Sequence, residues 1–209
     1  MPDLYFIDKM TVIAHLKNTK PVIVFNKCDI ASCDDLAEIY KKAGFDVVIT
    51  CAQTGKNADV IVDMIKDKQA AFCGLSGVGK SSLMKAINPN LCIQTGEISK
   101  KLERGKHTTR HVELFKCGKG YIADTPGFNA IDILRYSKLS VDDLKDCFIE
   151  FEDFSDCKYS DCVHINQQGC GVIKALEDKK ISNKRYESYK RLYEEIKNIP
   201  NWLQEKTNI

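Results

Sequence analysis

The stretch Gly74-Leu75-Ser76-Gly77-Val78-Gly79-Lys80-Ser81-Ser82 reads G-x-x-x-x-G-K-S. These residue types at this spacing suit the capture of a phosphate chain. Gly74 and Gly79 permit backbone torsions that turn the N–H groups of the loop, those of Ser76, Gly77 and Val78 among them, toward one anion. The N-terminus of a helix beginning near Ser81-Ser82 adds partial positive charge. Lys80 supplies a full charge for β- and γ-phosphates, and the Ser81 hydroxyl can ligate Mg²⁺.

Two further stretches could read a base. Asn26-Lys27-Cys28-Asp29 is an N-K-x-D pattern. A carboxylate at Asp29 can accept from both N1–H and the 2-amino group of guanine, a donor pair that adenine lacks. Asn26 would brace the loop, and the Lys27 stem would lie over the base. Thr50-Cys51-Ala52-Gln53-Thr54-Gly55 is similar to the S-A-K-x-G loop of GTPases, with Cys51 for Ser and Gln53 for Lys. The expected contact there is a backbone one, from the Ala52 N–H to guanine O6, so both changes are tolerable.

Metal and hydrolysis candidates follow. In Gly105-Lys106-His107-Thr108-Thr109-Arg110 a threonine hydroxyl, Thr109 before Thr108, can complete a Mg²⁺ shell and sense the γ-phosphate. Asp124-Thr125-Pro126-Gly127-Phe128 is a D-x-x-G motif, with Asp124 for Mg²⁺ and the Gly127 N–H for the γ-phosphate. Phe128 stands where many GTPases carry a water-orienting Gln. His107 is the candidate to take over that task, against the alternative of a solvated loop histidine. Cys157-x4-Cys162-x-His164-x5-Cys170 offers three thiolates and one imidazole, a closed tetrahedral set for a structural Zn²⁺.

The elements that must carry these groups are legible as periodicities. Pro21 to Phe25 and Asp46 to Ile49 are β-branched runs that fit buried parallel strands, each delivering a base motif at its carboxyl end. Ala70-Ala71-Phe72-Cys73 leads into the phosphate loop as a strand, and 82–87 follows it as a helix. Helices are expected over 4–17, with Ile7, Met10, Ile13, Ala14 and Leu16 on the buried face, over 34–42 and over 57–66. The runs 111–116 and 120–123 fit a strand pair. Beyond residue 141 the chain is expected to be helical apart from the cysteine loop. A helix over 181–199 has Tyr186, Tyr189, Leu192, Tyr193 and Ile196 on one face and Lys184, Arg185, Lys190 and Arg191 on the other. The aromatic face reads as core. The basic face is the best candidate for RNA, although such faces are commonly only solvated.

Bulk properties set limits. The chain has 209 residues, 44% hydrophobic and 29% charged, with net charge +2, so nucleic-acid contact cannot come from overall charge. No apolar run is long enough to span a bilayer, and no signal-peptide layout is present at the N-terminus. A cytoplasmic protein with reduced thiols is expected. Of the 10 cysteines, those scattered singly (Cys28, Cys51, Cys73, Cys92, Cys117, Cys147) read as small buried hydrophobes.

The motif order is unusual, since the base motifs precede the phosphate loop. That order, with G-x-S-G-V-G-K-S-S, G-K-H-T-T, D-T-P-G-F and the cysteine loop, resembles the RsgA (YjeQ) family of bacterial ribosome-associated GTPases. The resemblance implies an α/β P-loop NTPase three-layer fold with circularly permuted GTPase motifs over 1–137 and a small, mostly helical zinc-binding domain over 138–209. It implies a Mg²⁺-dependent hydrolase of GTP to GDP that acts in late maturation of the 30S subunit, with that subunit and its rRNA as partners, no membrane, and a monomeric state. The family begins with an OB-fold barrel that has no counterpart here, and the first strand of the GTPase sheet also looks missing or abbreviated. The chain therefore reads as a fragment or a short member, with weakened ribosome affinity. The alternatives are a GTP-sensing module with negligible turnover, which Phe128 favours, and an ATPase sharing only the phosphate loop.

Overall fold

The computed structural model describes residues 2–89, 113–124 and 139–199. Local signals set several element ends. Asp3 caps α1 (Leu4–Leu16) by accepting from the Phe6 amide at 3.0 Å. Ser140 and Asp143 form a reciprocal capping box at the start of α5 (Val141–Asp146). Between them run β1 (Val22–Phe25), α2 (Asp34–Lys42), β2 (Asp46–Ile49), α3 (Ala58–Ile65), β3 (Gln69–Ala71), α4 (Lys80–Ile87), β4 (Glu113–Cys117) and β5 (Gly120–Asp124). A 3₁₀ helix (Ile149–Phe154), α6 (Gly171–Glu177) and α7 (Asn183–Lys197) follow. None of these helices is long and apolar enough to cross a membrane.

The chain forms two compact units. One comprises Met1–Ile23, Asp35–Val47 and Ile131–Ile209, the other Val24–Asp34 and Val48–Ala130. In the first, α1 packs along α7, and α5 and α6 pack on the 3₁₀ helix. Leu144, Phe148, Phe151, Val172, Tyr189 and Leu192 are at most 2% exposed and make its centre. The Phe148 and Phe151 rings meet Tyr189 edge-on at 5.1 and 4.9 Å. The aromatic face of α7 is core, as its sequence implies.

Two expectations for this unit need correction. Arg185 is not on a solvated basic face; it is 1% exposed. Its Nε and Nη2 donate to the two oxygens of Glu150 at 2.7 and 2.9 Å, and Nη1 donates to Asp8 at 2.7 Å. The Phe148 ring lies 4.5 Å beneath the guanidinium. The second correction follows from the first. In α1 the buried residues are Asp8, Thr11 and Val12, while Ile7, Met10, Ile13, Ala14 and Leu16 are half-buried. The helix turns its acidic side inward because Arg185 is there to receive it. Burial pushes the Asp8 carboxyl up, with Arg185 pulling the other way.

In the second unit β3 pairs in parallel with β5, with Ala70 opposite Ile122, and β4 pairs antiparallel with β5, with Leu114 opposite Ala123. β1 and β2 pair with each other in a separate two-stranded sheet. Ile61, Ile65, Leu83, Met84, Cys117 and Ile122 form one buried cluster between α3, α4 and the sheet. Gly120 is required where it stands, since a Cβ would lie 2.2 Å from the Ile65 carbonyl oxygen. The strand before the phosphate loop ends at Ala71, so Phe72 and Cys73 lie beyond it. Of the singly placed cysteines, Cys51, Cys117 and Cys147 are buried, with burial pushing the Cys147 thiol up to about 12. Cys28 is only half-buried and Cys73 is exposed, contrary to expectation; Cys92 lies outside the described residues.

Candidate functional site

Because β3 and β5 are parallel neighbours, the phosphate loop leaves the sheet at the same edge at which β5 ends in Asp124, the carboxyl ends of the strands. Gly79 caps α4 with φ +94, a torsion that L side chains rarely adopt, and α4 begins at Lys80. The first-turn N–H groups of α4 are therefore presented by the loop itself. The Lys80 ammonium donates to the carbonyls of Gly74 at 2.6 Å and Leu75 at 2.9 Å, folded over the first turn of the loop. Ser76, Gly77, Val78, Ser81 and Ser82 are exposed along the rim.

The segment after β1 reaches this loop. The Asn26 amide donates to the Val78 carbonyl at 3.2 Å, and the Lys27 ammonium donates to the Gly77 carbonyl at 2.8 Å. The Asn26 carbonyl oxygen accepts from the Ala52 N–H at 3.0 Å and from the Thr50 hydroxyl at 3.3 Å. Asn26 thus ties the loop after β1 to the loop after β2 and to the phosphate loop. The Ala52 N–H, expected to meet guanine O6, is engaged by Asn26, so a base contact there shares or replaces that bond. Cys51, 2% exposed, donates its thiol hydrogen to Asp29 Oδ1 at 3.2 Å. Sequence reasoning gave Thr50 no task and counted Cys51 in the base-binding loop only as a replacement for Ser. Nothing in the residue types alone shows that both side chains point at the N-K-x-D loop.

His107, Thr109 and Gly127 lie outside the described residues. Asp124 closes β5, which fixes its place at the strand edge.

In the first unit the sequence-predicted metal set converges. The ligand atoms of Cys157, Cys162, His164 and Cys170 all lie within 4.8 Å of one another. Among the described residues this is the one His/Cys/Asp/Glu group so arranged. Cys162, His164 and Cys170 are 3%, 6% and 4% exposed. Burial pushes the Cys170 thiol up to about 12 and holds the His164 imidazole below its ordinary value. That direction favours the neutral imidazole, the form that ligates. Three supports were not legible beforehand. The Tyr186 hydroxyl donates to the His164 carbonyl at 2.8 Å, and the Tyr189 hydroxyl donates to the Val163 carbonyl at 2.6 Å. The Gly171 N–H donates to Cys157 Sγ at 3.4 Å.

Residues 2–134 match the family model described as RsgA GTPase. The chain belongs to the RsgA GTPase family. A second model, described as 50S ribosome-binding GTPase, matches residues 69–202. The small ribosomal subunit biogenesis GTPase RsgA of Alkaliphilus metalliredigens is 40% identical over 94% of this chain and 68% of its own length. The protein of that name from Clostridium botulinum strain Langeland is 39% identical, over 92% and 66%. The chain therefore spans about two thirds of these relatives. Among solved structures, YjeQ from Thermotoga maritima superposes with a TM-score of 0.75 at 33% identity, covering 95% of this chain and 68% of that one. YloQ, a circularly permuted GTPase, superposes with a TM-score of 0.74 at 30% identity, covering 95% and 65%. As an RsgA-family member the chain is a P-loop GTP hydrolase with permuted motifs, and the ATPase reading falls.

Proposed function

We propose that this chain hydrolyses GTP to GDP and phosphate in the cytoplasm during late maturation of the small ribosomal subunit, binding that 30S particle and its rRNA as a monomer. The observation that carries the reading is the direct bonding of the Asn26-Lys27-Cys28-Asp29 loop to the phosphate loop, which supports a guanine reader and a phosphate cradle acting on one ligand. Asp29 accepts from the base, and Lys27 covers it. The N–H groups from Gly74 through Ser82 and the Lys80 ammonium take the phosphates. Ser81, Thr109 and Asp124 would hold Mg²⁺, which would neutralise charge developing on the β- and γ-oxygens. Gly127 and Thr109 sense the γ-phosphate, and His107 orients water in place of the Gln that Phe128 displaces. The names of the relatives support the ribosomal role.

The Cys157, Cys162, His164, Cys170 set fits Zn²⁺. In a tetrahedral shell with Zn–S of about 2.3 Å and Zn–N of about 2.0 Å, S···S edges run to about 3.8 Å and S···N edges to about 3.5 Å. The separation of Cys157 Sγ from Cys170 Sγ is 3.9 Å, and His164 Nδ1 lies 3.6 and 3.4 Å from the two sulfurs. By motif content we assign 1–137 to the GTPase domain and 138–209 to the zinc-binding domain, although Met1–Ile23 and Asp35–Val47 share a compact unit with the latter. Of the basic face of α7, exposed Lys184 is the clearest rRNA candidate, because Lys190 pairs with Glu187 at 2.7 Å and Arg191 with Glu195 at 3.3 Å.

The test is GTP turnover with and without purified small subunits. Many-fold stimulation supports the reading. Binding without turnover under either condition would instead favour a GTP-sensing module.

A further inference from the structure

The strand that feeds the phosphate loop stands at the edge of its sheet. In the order β3-β5-β4, β3 has β5 on one side and, among the described residues, no strand on the other. The ladder decides which backbone groups look outward. Ala70 stands opposite Ile122 in parallel register, and the Tyr121 N–H donates to the Lys68 carbonyl at 3.0 Å. Lys68 and Ala70 therefore direct their backbone groups at β5, and Gln69 and Ala71 direct theirs away from it. Both outward residues are exposed.

Sheet edges are ordinarily blunted by charge, proline or a bulge. β4, the opposite edge, bears an exposed Lys116 and turns at an exposed Lys119. From Gln69 through Cys73 there is neither charge nor proline, and the pairing of Gln69, Ala70 and Ala71 with β5 is unbroken. The side chains extend the same pattern. Phe115, Ile122 and Ala70 make one row across the sheet, against the core cluster. Ile122 in the middle of the row is 0% exposed, whereas Ala70 at the edge is half-buried. An apolar side chain set beyond Ala70 would continue that row, and the alanines at 70 and 71 leave room for it.

We propose that the outer edge of β3 accepts a strand from a second polypeptide, an extended, uncharged segment with apolar side chains at alternate positions. The N–H and C=O groups of Gln69 and Ala71 supply the main-chain bonds, and the side chain beside Ala70 supplies the apolar contact. A charged segment is disfavoured, since no residue from Gln69 to Cys73 can pair with it. The proposal uses none of the nucleotide contacts and does not depend on how the base and phosphate loops are read.

The probe is a synthetic peptide with blocked ends, Lys-Val-Thr-Val-Thr-Val-Lys, whose lysines serve only solubility. Its control is a copy N-methylated at each central residue, which cannot donate to a strand. Hydrogen exchange of the full chain reads the edge directly. At saturating peptide the Gln69 and Ala71 amides are expected to exchange about tenfold more slowly, and the methylated copy is expected to have no effect. Ala71→Pro removes an outward N–H without touching the ladder to β5, and is expected to weaken peptide binding by about tenfold. Gln69→Pro removes the other outward N–H and serves should the first variant not fold. Unaltered exchange at both amides, equal protection by the methylated copy, or proline variants that bind the peptide as the parent does would each overturn the proposal. So would self-association of the parent in sedimentation that Ala71→Pro abolishes, with no protection by the peptide, because the edge would then belong to a second copy of this chain.

Discussion

The Asn26 amide nitrogen lies 3.2 Å from the Val78 carbonyl, 52 residues further along the chain. The other end of the same amide accepts from Ala52 and Thr50. In the proposed reading, base and phosphates are held by different loops, and a flexible pair of loops would lose ordering entropy each time a nucleotide bound both. One side chain bonded to all three segments keeps them ordered in advance.

That bonding bears on two substitutions. Asn26→Ala removes three hydrogen bonds, each worth about 1 kcal/mol, and should weaken GDP binding by about 100-fold. Asn26→Asp keeps both acceptor contacts but sets a carboxylate oxygen against the Val78 carbonyl oxygen and adds negative charge beside the phosphate loop, so it should bind GDP no better than alanine. Titration with a fluorescent GDP analogue would check the order, and an aspartate variant as tight as the parent would contradict it.

Gly79 is the next place where little can change. A Cβ there would lie 2.4 Å from the Asn26 amide nitrogen, and the residue sits at φ +94. Gly79→Ala combines a left-handed torsion with that clash. Strain of about 1–3 kcal/mol is expected, read as a lower melting temperature together with loss of GDP affinity. The same change at Gly77 meets no atom within 4 Å and carries only the torsional part at φ +79, so it should be the milder of the two.

How far the sequence carried the reading depended on which physical signal was at stake. The phosphate loop, the N-K-x-D loop and the cysteine loop were legible because their chemistry demands fixed residue types at short spacing. Element bounds held where propensity and packing agree, as in α2 and β2. They shifted at β3, where pairing with β5 sets the strand and the apolar run Phe72-Cys73 does not. The reading of α1 and Arg185 went wrong for one shared reason. Periodicity assumes that charged residues face water, and a buried cation pairing with Asp8 and Glu150 reverses that assumption on two helices at once. The roles of Thr50, Tyr186 and Tyr189 were out of reach, since each hydroxyl meets a partner distant in sequence.

The buried triad carries its own prediction. Arg185, Asp8 and Glu150 are 1%, 0% and 8% exposed, so removing one member strands charge in the core. Glu150→Ala, which deletes the bidentate partner, should lower the unfolding free energy by about 3–5 kcal/mol. Replacing all three together with apolar residues of similar volume should cost much less, because no charge is left unpaired. Urea denaturation of the two variants would decide. Equal losses would mean that packing around Phe148, not the charges, governs this region.

The metal loop yields the last prediction. Its ligands are nearly enclosed, and its backbone carbonyls at Val163 and His164 are the acceptors of two buried α7 hydroxyls. His164 holds φ +59, a torsion that a non-glycine residue keeps only when its surroundings enforce it. A zinc ion held by the four residues would enforce it. Without the ion, the thiols would be protonated and free to separate, and the tyrosine hydroxyls would lose firmly placed acceptors. The parent is expected to carry about one zinc per chain and to lose several degrees of melting temperature on treatment with a strong chelator. Cys162→Ser should show the lowered temperature before any chelator is added, with metal content well below the parent, while Cys147→Ser, a buried thiol outside the set, should retain its zinc. Metal analysis alongside thermal unfolding distinguishes the cases: a Cys162→Ser variant with full zinc content would show that the cluster does not bind through this sulfur.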